Sequence, residues 1–490
     1  MLFCVLLVLS SFLLVNSAVP ACNGPVTFNP SNAGTWYPSN FSNSQPPLFP
    51  DNFNCEYQIN VPQGWYSLIH LTVNMTNFQN VSAPVQVVDQ FQNTEEVFSS
   101  QQERFFFISG GGKIKLSTGM SKVIFGFNVI WLQYPTISPN ITHINANDRH
   151  PVYLELLVNQ AFQYTADSQV SATIISQIGR NNRQIQRAVL FFDGPSGSSK
   201  CLGTGLQLLE AKSQYYSSGN SMTIMFLGVE PRQIYIPILL QDYENTKNIS
   251  QFESILWWFG NNNRYETVTL DASKGPVAVQ TLNLQTIQEE VIMSLEGTGV
   301  LDVYLGGVTK NRTNFVTRYY AGNSDNYFPQ MFRGQVKTYV LSGGVATLNI
   351  SGESYRDYSP SKSIGRKGII VTEDFGESSE NQYIFAGIYS PTSDTAFKYS
   401  ISIADLVPGA TLEISSNVGS IGKTWKYNST HLPSLNVYEE IQGDRFYVEY
   451  KSNQKANKGF YMNFELVEAS TSSTFSILGI VMCLSFVLFH

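Results

Sequence analysis

The sequence predicts an all-β protein of tandem antiparallel β-sandwiches, and three observations lead to this prediction. Apolar and polar residues alternate with a period of two in many short stretches, such as Ser67–Val73 and Val123–Trp131. Glycine, proline, asparagine and serine separate these stretches, and such residues favour turns. Helical periodicity is scarce, since only Leu206–Lys212 has room for a turn or two of helix. Short half-buried strands of this kind are most economically packed as sandwiches.

The composition excludes several classes of protein. At 490 residues, the chain is long enough for three or four domains of about 100–150 residues each. Hydrophobic residues make up 43%, which excludes global disorder. Charged residues make up only 14%, so the surface is mainly uncharged and polar, as in many glycosylated extracellular β-proteins. The net charge of −7 argues against a nucleic-acid-binding protein, which needs a basic face.

The N-terminus predicts a secretory signal peptide over residues 1–18. The apolar run Leu2–Val15 has the length of the hydrophobic part of such a signal, and the small residues Ser17 and Ala18 follow it. A buried core helix is the alternative interpretation. The position at the extreme terminus argues against that alternative.

The mature chain is poor in cysteine. Cys22 and Cys55 share the N-terminal segment and are the natural disulfide pair in an oxidising compartment. Cys201 is then left over, either as a buried thiol or as the partner of a cysteine in another chain. Zinc is not expected, because the chain has no Cys-X-X-Cys or His-X-X-X-His spacing.

Residues 19–135 contain motifs that resemble a CUB domain, in particular the nematode-type CUB-like family. Pro50–Tyr66 combines a Pro/Asn-rich stretch, a cysteine, an aromatic residue, alternating apolar residues and a Pro-X-Gly turn. Val85–Asp89 matches the next strand, and Phe105–Ser109 and Ile114–Trp131 match the later strands. The resemblance implies a two-sheet sandwich in a secreted or surface protein, with many relatives associated with innate defence.

Weaker similarities to the same family extend along the chain. Val189–Gly203 resembles an inner CUB strand and its loop, and Asp444–Tyr461 resembles the closing hairpin. Turn-rich gaps at 135–151, 260–263 and 352–367 are taken as boundaries. We therefore expect a second CUB-like sandwich over 151–260, a third sandwich over 264–352 and a fourth, CUB-like one over 365–468. The third and fourth segments are equally compatible with one larger unit.

Many CUB domains bind calcium through acidic residues at one end of the sandwich. Asp89 and Asp193 stand where the resemblance places the strand-end aspartate, but Thr118 and Asn453 replace the second one. Since calcium needs six to eight oxygen ligands, we expect no calcium site. The two aspartates are equally well explained as turn residues that bond their own backbone.

The sequence offers little catalytic chemistry. His70 alternates with apolar residues in a strand, His143 and His150 lie in the presumed linker, and His431 lies in a loop. Glu289 and Glu290 are adjacent, so on a strand they point to opposite faces and do not converge on one bond. We found no nucleophile elbow, zinc-protease, Walker or dinucleotide motif. We expect no catalytic, cofactor-binding or metal-binding residues.

Two glycine-rich or aromatic stretches allow a binding interpretation beside a structural one. Gly110–Gly112 has the composition of an anion cradle, although a hairpin turn is the stronger expectation there. Ile255–Phe259, with Trp257 and Trp258, is expected to be core or an interdomain contact. An exposed tryptophan pair would instead suggest sugar stacking or a protein-binding hot spot.

Glycosylation signals and the C-terminus point to the cell surface. Small residues precede the apolar run Phe475–Phe489, which is the pattern of a glycosylphosphatidylinositol (GPI) attachment signal over residues 469–490, with Ser470 as the expected attachment site. A short single-pass anchor is the alternative. N-glycosylation signals occur at Asn40, Asn74, Asn80, Asn140, Asn248, Asn311, Asn349 and Asn428.

Together these features predict a non-enzymatic, GPI-anchored extracellular glycoprotein of CUB-like modules that binds protein or glycan ligands, with a role in innate defence implied by the resemblance alone. One alternative is a lectin-like surface protein. A further alternative is an extracellular hydrolase whose carboxylates meet only in the folded chain.

Overall fold

A computed structural model describes residues 19–39, 41, 45–75, 82–146, 150–158, 160–176, 180–228, 237–257, 265–284, 289–353, 364–390, 394–418 and 421–469. The predicted all-β fold is confirmed, because strands account for 58% of the described residues and helices for 5%. The chain divides into two compact units. One contains Met1–Ile144, Pro151–Ile174 and Ile178–Leu240, and the other contains Asn145–His150, Ile175–Gln177 and Gln241–His490.

Two successive pairs of sheets, here called the first and second modules, lie in the N-terminal part. The first module consists of β1 (Val26–Phe28), β2 (Thr35–Tyr37), β3 (Leu48–Phe49), β4 (Asn54–Ile59), β5 (Trp65–Met75), β6 (Val85–Val88), β7 (Thr94–Val97), β8 (Ser100–Phe107), β9 (Gly112–Ser117) and β10 (Val123–Gln133). The second consists of β11 (Thr136–Ile144), β12 (His150–Tyr153), a 3₁₀ turn (Leu154–Leu157), β13 (Gln160–Ala166), β14 (Val170–Ile174), α1 (Arg180–Arg187), β15 (Val189–Asp193), β16 (Lys200–Thr204), α2 (Gly205–Glu210), β17 (Tyr215–Tyr216), β18 (Ser221–Phe226) and β19 (Pro237–Asp242).

The third and fourth modules follow a short helix, α3 (Tyr243–Thr246). The third consists of β20 (Gln251–Trp257), β21 (Tyr265–Asp271), β22 (Val277–Asn283), β23 (Glu289–Gly297), β24 (Val300–Leu305), β25 (Phe315–Tyr320), a 3₁₀ turn (Asp325–Tyr327), β26 (Gln330–Arg333), β27 (Val336–Ser342) and β28 (Val345–Ser351). The fourth consists of β29 (Lys367–Val371), β30 (Tyr383–Tyr389), β31 (Thr395–Ala404), β32 (Thr411–Val418), β33 (Ile421–Asn428), β34 (Tyr438–Gln442), β35 (Arg445–Lys451) and β36 (Phe460–Glu468).

The four modules repeat one strand topology. The first module has sheets β1-β4-β9-β6-β7 and β2-β10-β5-β8, with β3 added to β10. The second has β11-β13-β18-β15-β16 and β12-β19-β14-β17, and the third has β20-β22-β27-β24-β25 and β21-β28-β23-β26, which are the same orders position by position. The fourth keeps both orders, as β30-β35-β32-β33 and β29-β36-β31-β34, and its described residues include no counterpart of β1. In the first three modules the first strand (β1, β11 or β20) pairs in parallel with its neighbour (β4, β13 or β22). The other strand pairs with a described register are antiparallel, as in β5–β10 and β22–β27.

The modules begin earlier than the turn-rich gaps suggest. The gap at 135–151 contains β11, which pairs with β13 through a register shift between Ile137 and Ile141. An edge strand tolerates Pro139 at such an irregularity. The gap at 260–263 falls between β20 and β21, and β20 pairs with β22 of the third module. Turn residues mark loops within a sandwich as strongly as they mark linkers, so the second and third modules start before the boundaries that these gaps predict.

The core of the second module extends into the first. Tyr66 and Leu68 on β5, Phe106 on β8 and Ile108 just after β8 pack in the same buried cluster as the apolar residues of β13, β15 and β18. The first module has its own aromatic core, in which Tyr57 stacks on Phe125 at 5.5 Å between ring centroids. The first two modules therefore share a packed boundary.

Candidate functional site

A cavity of about 490 Å³ opens where the first and second modules meet. The first module contributes β6, the β6–β7 turn, β7 and β8, and the second contributes α1, β16, α2 and Tyr215. The cavity is lined by Val87, Asp89, Phe91, Asn93, Thr94, Glu95, Phe105, Phe106, Phe107, Arg187, Leu202, Thr204, Leu206, Gln207, Glu210, Ala211 and Tyr215. About half of these residues are apolar and half are polar or charged, so the cavity combines apolar walls with the fixed polar groups that orient ligands in binding pockets.

Asp89 shapes one wall of the cavity. Its carboxylate accepts hydrogen bonds from the backbone N–H groups of Phe91 and Asn93, at 2.8 and 2.9 Å, which folds the β6–β7 turn. The side chain of Gln207 donates a further bond at 2.5 Å from α2. Burial raises the pKa of the Asp89 carboxyl, and these hydrogen bonds partly oppose that effect. Asp89 is therefore a turn residue that bonds its own backbone, as the sequence suggests. It also links the first module to the second through Gln207.

Gln207 is positioned by the start of helix α2. Its side-chain oxygen accepts from the backbone N–H of Thr204 at 3.0 Å, while the Thr204 hydroxyl accepts from the backbone N–H of Gln207 at 3.2 Å. This reciprocal capping box ends β16 and begins the helix. The predicted turn or two of helix at Leu206–Lys212 is therefore confirmed, and its first turn directs the Gln207 amide at Asp89.

Arg187 also lines the cavity and is held by ion pairs to the first module. Its Nη2 lies 2.6 Å from Oε2 of Glu95 on β7 and 2.9 Å from Oε1 of Glu103 on β8. Its guanidinium also lies 4.1 Å from the centre of the Phe105 ring, within cation–π range. Arg183, one turn earlier on α1, pairs with Glu95 and with Glu210 of α2. These contacts fix the polar groups of the cavity before any ligand arrives.

Cys201 lies beside a smaller cavity of about 240 Å³ in the same unit. It is a free, partly buried thiol, and burial raises its pKa to about 12. The thiol therefore stays protonated and unreactive at neutral pH. Cys22 and Cys55 form the predicted disulfide, with Cα atoms 5.8 Å apart.

The other residues at the positions where CUB domains carry calcium ligands form hydrogen bonds within loops. Asp193 accepts from the backbone N–H of Ser218 at 2.7 Å and from its hydroxyl at 3.1 Å. The Thr118 hydroxyl donates to the carbonyl of Pro50 at 2.8 Å. Asn453 adopts a left-handed backbone conformation, and its side-chain amide donates to the carbonyl of Gly409. Among the described residues, no group of three or more histidine, cysteine, aspartate or glutamate side chains is placed to hold a metal ion.

Glu289 and Glu290 diverge, as their adjacent positions on a strand require. Both are buried. Glu290 accepts hydrogen bonds from the indole of Trp257 at 2.5 Å, from the Thr281 hydroxyl at 3.0 Å and from the Tyr339 hydroxyl, whereas Glu289 pairs with Arg333. Trp257 is 1% exposed, so its core interpretation is confirmed. Trp258 and Phe259 lie outside the described residues.

The histidines are dispersed. His70 faces Arg104 across β5 and β8, and burial lowers its pKa. His143, which the sequence placed in a linker, lies on β11, with Nδ1 3.0 Å from the Thr165 hydroxyl and Nε2 3.1 Å from Asp167. The side chains of Thr165, His143 and Asp167 thus form a hydrogen-bonded row on the surface, and none of them lines either of the two cavities described above. His431 stacks on Tyr427 at 5.5 Å.

Gly110–Gly112 form a turn, but the turn is not a hairpin. Gly111 N–H bonds to the carbonyl of Ile108 at 2.8 Å, and Gly110 and Gly111 have φ of +100° and +72°. The strands on either side, β8 and β9, belong to different sheets. The glycines therefore carry the chain from one layer of the sandwich to the other.

The predicted glycosylation sites differ in their surroundings. Asn140, Asn248, Asn311 and Asn428 are exposed, and Asn74 and Asn349 are half-buried on strands. Asn40, Asn80 and the expected lipid-attachment residue Ser470 lie outside the described residues, as do the signal segment and the apolar tail. In the part of the chain that is described, no helix has the length and hydropathy needed to cross a membrane.

Sequence reasoning missed helix α1 and Arg187. The segment Arg180–Arg187 carries three arginines in a chain with few charges, and this was the available signal. Its partner Glu95 is 92 residues away, so no local pattern joins the two.

Comparisons with known proteins agree with the CUB-like motifs of the first module. Residues 17–135 match the family model described as CUB-like domain, which confirms that expectation for this segment. Residues 143–227 and 244–353 match two models described as domains of unknown function, DUF7592 and DUF7591. No curated protein sequence matches the chain.

Solved structures with CUB domains are also similar to the chain. The human MASP-1/3 CUB1-EGF-CUB2 domain is 11% identical, with 42% of this chain and 100% of that chain covered and a TM-score of 0.17. The rat MASP-1 CUB1-EGF-CUB2 domains are 8% identical, with 44% and 100% covered and a TM-score of 0.17.

Proposed function

We propose that this chain is a non-enzymatic extracellular glycoprotein that is anchored to the membrane by a lipid near Ser470 and binds extracellular partners through its CUB-like modules. The CUB-like match over residues 17–135 supports an extracellular binding role. The motifs of the nematode-type family extend the proposal to innate defence, with microbial surfaces as the partners.

The observation that carries the proposal is the cavity between the first two modules. Its carboxylates and guanidinium are already held by one another and by backbone N–H groups, through Asp89–Gln207 and Arg187–Glu95. A site whose polar groups are fixed in advance loses little conformational entropy when a ligand binds. The apolar wall formed by Phe91, Leu202 and Tyr215 provides the surface that a partner's side chain would bury.

The anchor is tested on the full chain expressed at a cell surface. Treatment with phosphatidylinositol-specific phospholipase C should release the protein into the medium. Retention on the membrane would contradict the lipid anchor and favour a single-pass helix.

The binding role is tested with wild type, Phe91→Ala and Phe98→Ala incubated with whole microbial cells. Phe91 lines the cavity, whereas Phe98 lies on the same module, is 41% exposed and does not line it. Loss of binding in Phe91→Ala, with binding retained in Phe98→Ala, is the expected result. Equal binding by all three proteins would show that the cavity does not carry the interaction.

A further inference from the structure

The outward face of one sheet in the fourth module is rich in aromatic residues. On β30, the side chains of Tyr383, Phe385 and Tyr389 alternate with the buried Ile384, Ala386 and Ile388. On the neighbouring strand β35, Tyr447 is the cross-strand partner of Gly387 and therefore lies on the same face. Phe385 is 40% exposed. We call the surface formed by Tyr383, Phe385, Tyr389 and Tyr447 the aromatic face.

The ring of Tyr447 lies across Gly387. A Cβ atom added to Gly387 would come within 3.2 Å of Tyr447 Cε1 and 3.5 Å of Tyr389 Cε2. The Phe385 ring is nearly parallel to the Tyr447 ring, at 6.1 Å and 24°, and the hydroxyls of Tyr389 and Tyr447 are 3.1 Å apart. The absence of a side chain at Gly387 thus lets these rings form a shallow platform.

Hydrogen-bonding groups continue the face across the sheet. Ser415 on β32 pairs with Tyr447, and Thr424 on β33 pairs with Ser415. Asn417 pairs with Arg445 in the next row. Because cross-strand partners share a face, the aromatic rings on one side adjoin hydroxyl and amide groups on the other.

The aromatic face carries one cationic side chain more than its ion pairs account for. Lys451 pairs with Glu449 at 2.8 Å, and Lys426 pairs with Glu413 at 2.9 Å. Arg445 is exposed and lies 5.9 Å from the Tyr389 ring, and among the described residues no carboxylate forms an ion pair with it. In a chain of net charge −7, this arginine is a local positive charge beside aromatic rings.

We propose that the aromatic face binds an acidic oligosaccharide, with a sugar ring stacked on Phe385 and Tyr447 and the sugar carboxylate paired with Arg445. Aromatic rings offer an apolar face to the C–H groups of a sugar, and a guanidinium pairs with a carboxylate through two N–H groups. Ser415, Thr424 and Asn417 supply partners for the sugar hydroxyls. This inference rests on the proposed extracellular binding role and names the ligand class of a second site.

A protein partner fits the same surface less well. A stable protein interface buries about 800 Å² on each side around an apolar centre. Here the aromatic patch ends after two strands, and the ion pairs Lys451–Glu449 and Lys426–Glu413 interrupt its continuation. Asn428, a predicted glycosylation site, lies in the row of Thr411 and Lys451, at the end of the sheet away from Arg445.

The test uses the detergent-solubilised full chain and two probes, 3′-sialyllactose and neutral lactose, in ligand-observed NMR titrations. We expect sialyllactose to bind about tenfold more tightly than lactose, and Arg445→Gln to remove this preference. Phe385→Ala should weaken the binding of both probes. Tyr438→Ala is the matched control, because Tyr438 is 68% exposed on the other sheet of the same module; it should bind like wild type. Circular dichroism and thermal unfolding establish that each variant is folded.

Equal affinity for both probes, or full sialyllactose affinity in Arg445→Gln, would overturn the acidic-ligand assignment. Full affinity in folded Phe385→Ala would overturn the stacking. Saturable binding that is unchanged in Phe91→Ala would keep this inference and separate it from the cavity. Absence of sialyllactose binding, with microbial binding still lost in Phe91→Ala, would overturn this inference alone and leave the proposed function standing.

Discussion

Arg187 on α1 and Glu95 on β7 form an ion pair with Nη2 and Oε2 2.6 Å apart, and this pair joins the first two modules. Arg187 is 6% exposed and also contacts Glu103 and the ring of Phe105. Among the described residues, Glu103 therefore has this guanidinium as its only ion-pair partner, whereas Glu95 is also paired with the more exposed Arg183. Removing that guanidinium leaves negative charge in a poorly solvated place.

We predict that Arg187→Met lowers the free energy of unfolding of the first unit by about 3 kcal/mol, because breaking a buried pair leaves an uncompensated charge. Arg183→Met is the control, since Arg183 is more exposed and its loss should cost less than about 1 kcal/mol. Denaturant unfolding followed by circular dichroism measures both. Similar losses in the two variants would contradict the assigned role of Arg187.

Local patterns predicted the strands but not the cavity. The alternation in Val123–Trp131 is repeated along β10 because every second side chain enters the core, and that rule acts between neighbours in sequence. The contacts that build the cavity join residues 92 positions apart, in Arg187–Glu95, and 118 positions apart, in Asp89–Gln207. Such pairs are fixed by the packing of two modules against each other, which the sequence of either module alone does not specify.

Removal of the disulfide should destabilise the first module. The Cys22–Cys55 bond closes a loop with a sequence separation of 33 residues, so Cys22→Ser/Cys55→Ser should lose about 3 kcal/mol of unfolding free energy. Denaturant midpoints with and without reductant measure this loss. Cys201→Ser serves as the control and should keep the full reductant sensitivity, because Cys201 is a free thiol. A wild-type midpoint that does not respond to reductant would refute the prediction.

Asn428 is the site where we expect glycan most clearly. Its side-chain oxygen accepts from the backbone N–H groups of Thr430 and His431, while its amide nitrogen, the atom that carries a glycan, has no hydrogen-bond acceptor among the described residues. The amide nitrogen of Asn349 instead donates to the Ser294 hydroxyl at 2.7 Å. Glycopeptide mass spectrometry should find higher occupancy at Asn428, and Thr430→Ala should abolish it. Higher occupancy at Asn349 would contradict this reasoning.

The stability of the second unit should fall as the pH rises towards neutrality, because of Glu373. Burial and the neighbouring Asp374 raise the pKa of Glu373 from 4.5 to about 7, against the opposing effect of Arg333 and Lys337. Between these values the folded state binds more protons than the unfolded state, so the free energy of unfolding decreases with increasing pH.

Glu373→Gln removes this titration and should raise the free energy of unfolding at pH 8 by about 1–2 kcal/mol, after allowance for solvent screening. At pH 4, where Glu373 is protonated in the folded state, the variant and wild type should differ little. Denaturant unfolding at both pH values measures the difference. Glu380→Gln, an exposed change in the same β29–β30 connection, should leave the pH dependence unchanged. A Glu373→Gln variant that is equally or less stable than wild type at pH 8 would contradict the prediction. It would show that Arg333 and Lys337 fully offset the desolvation of the charged Glu373 carboxylate.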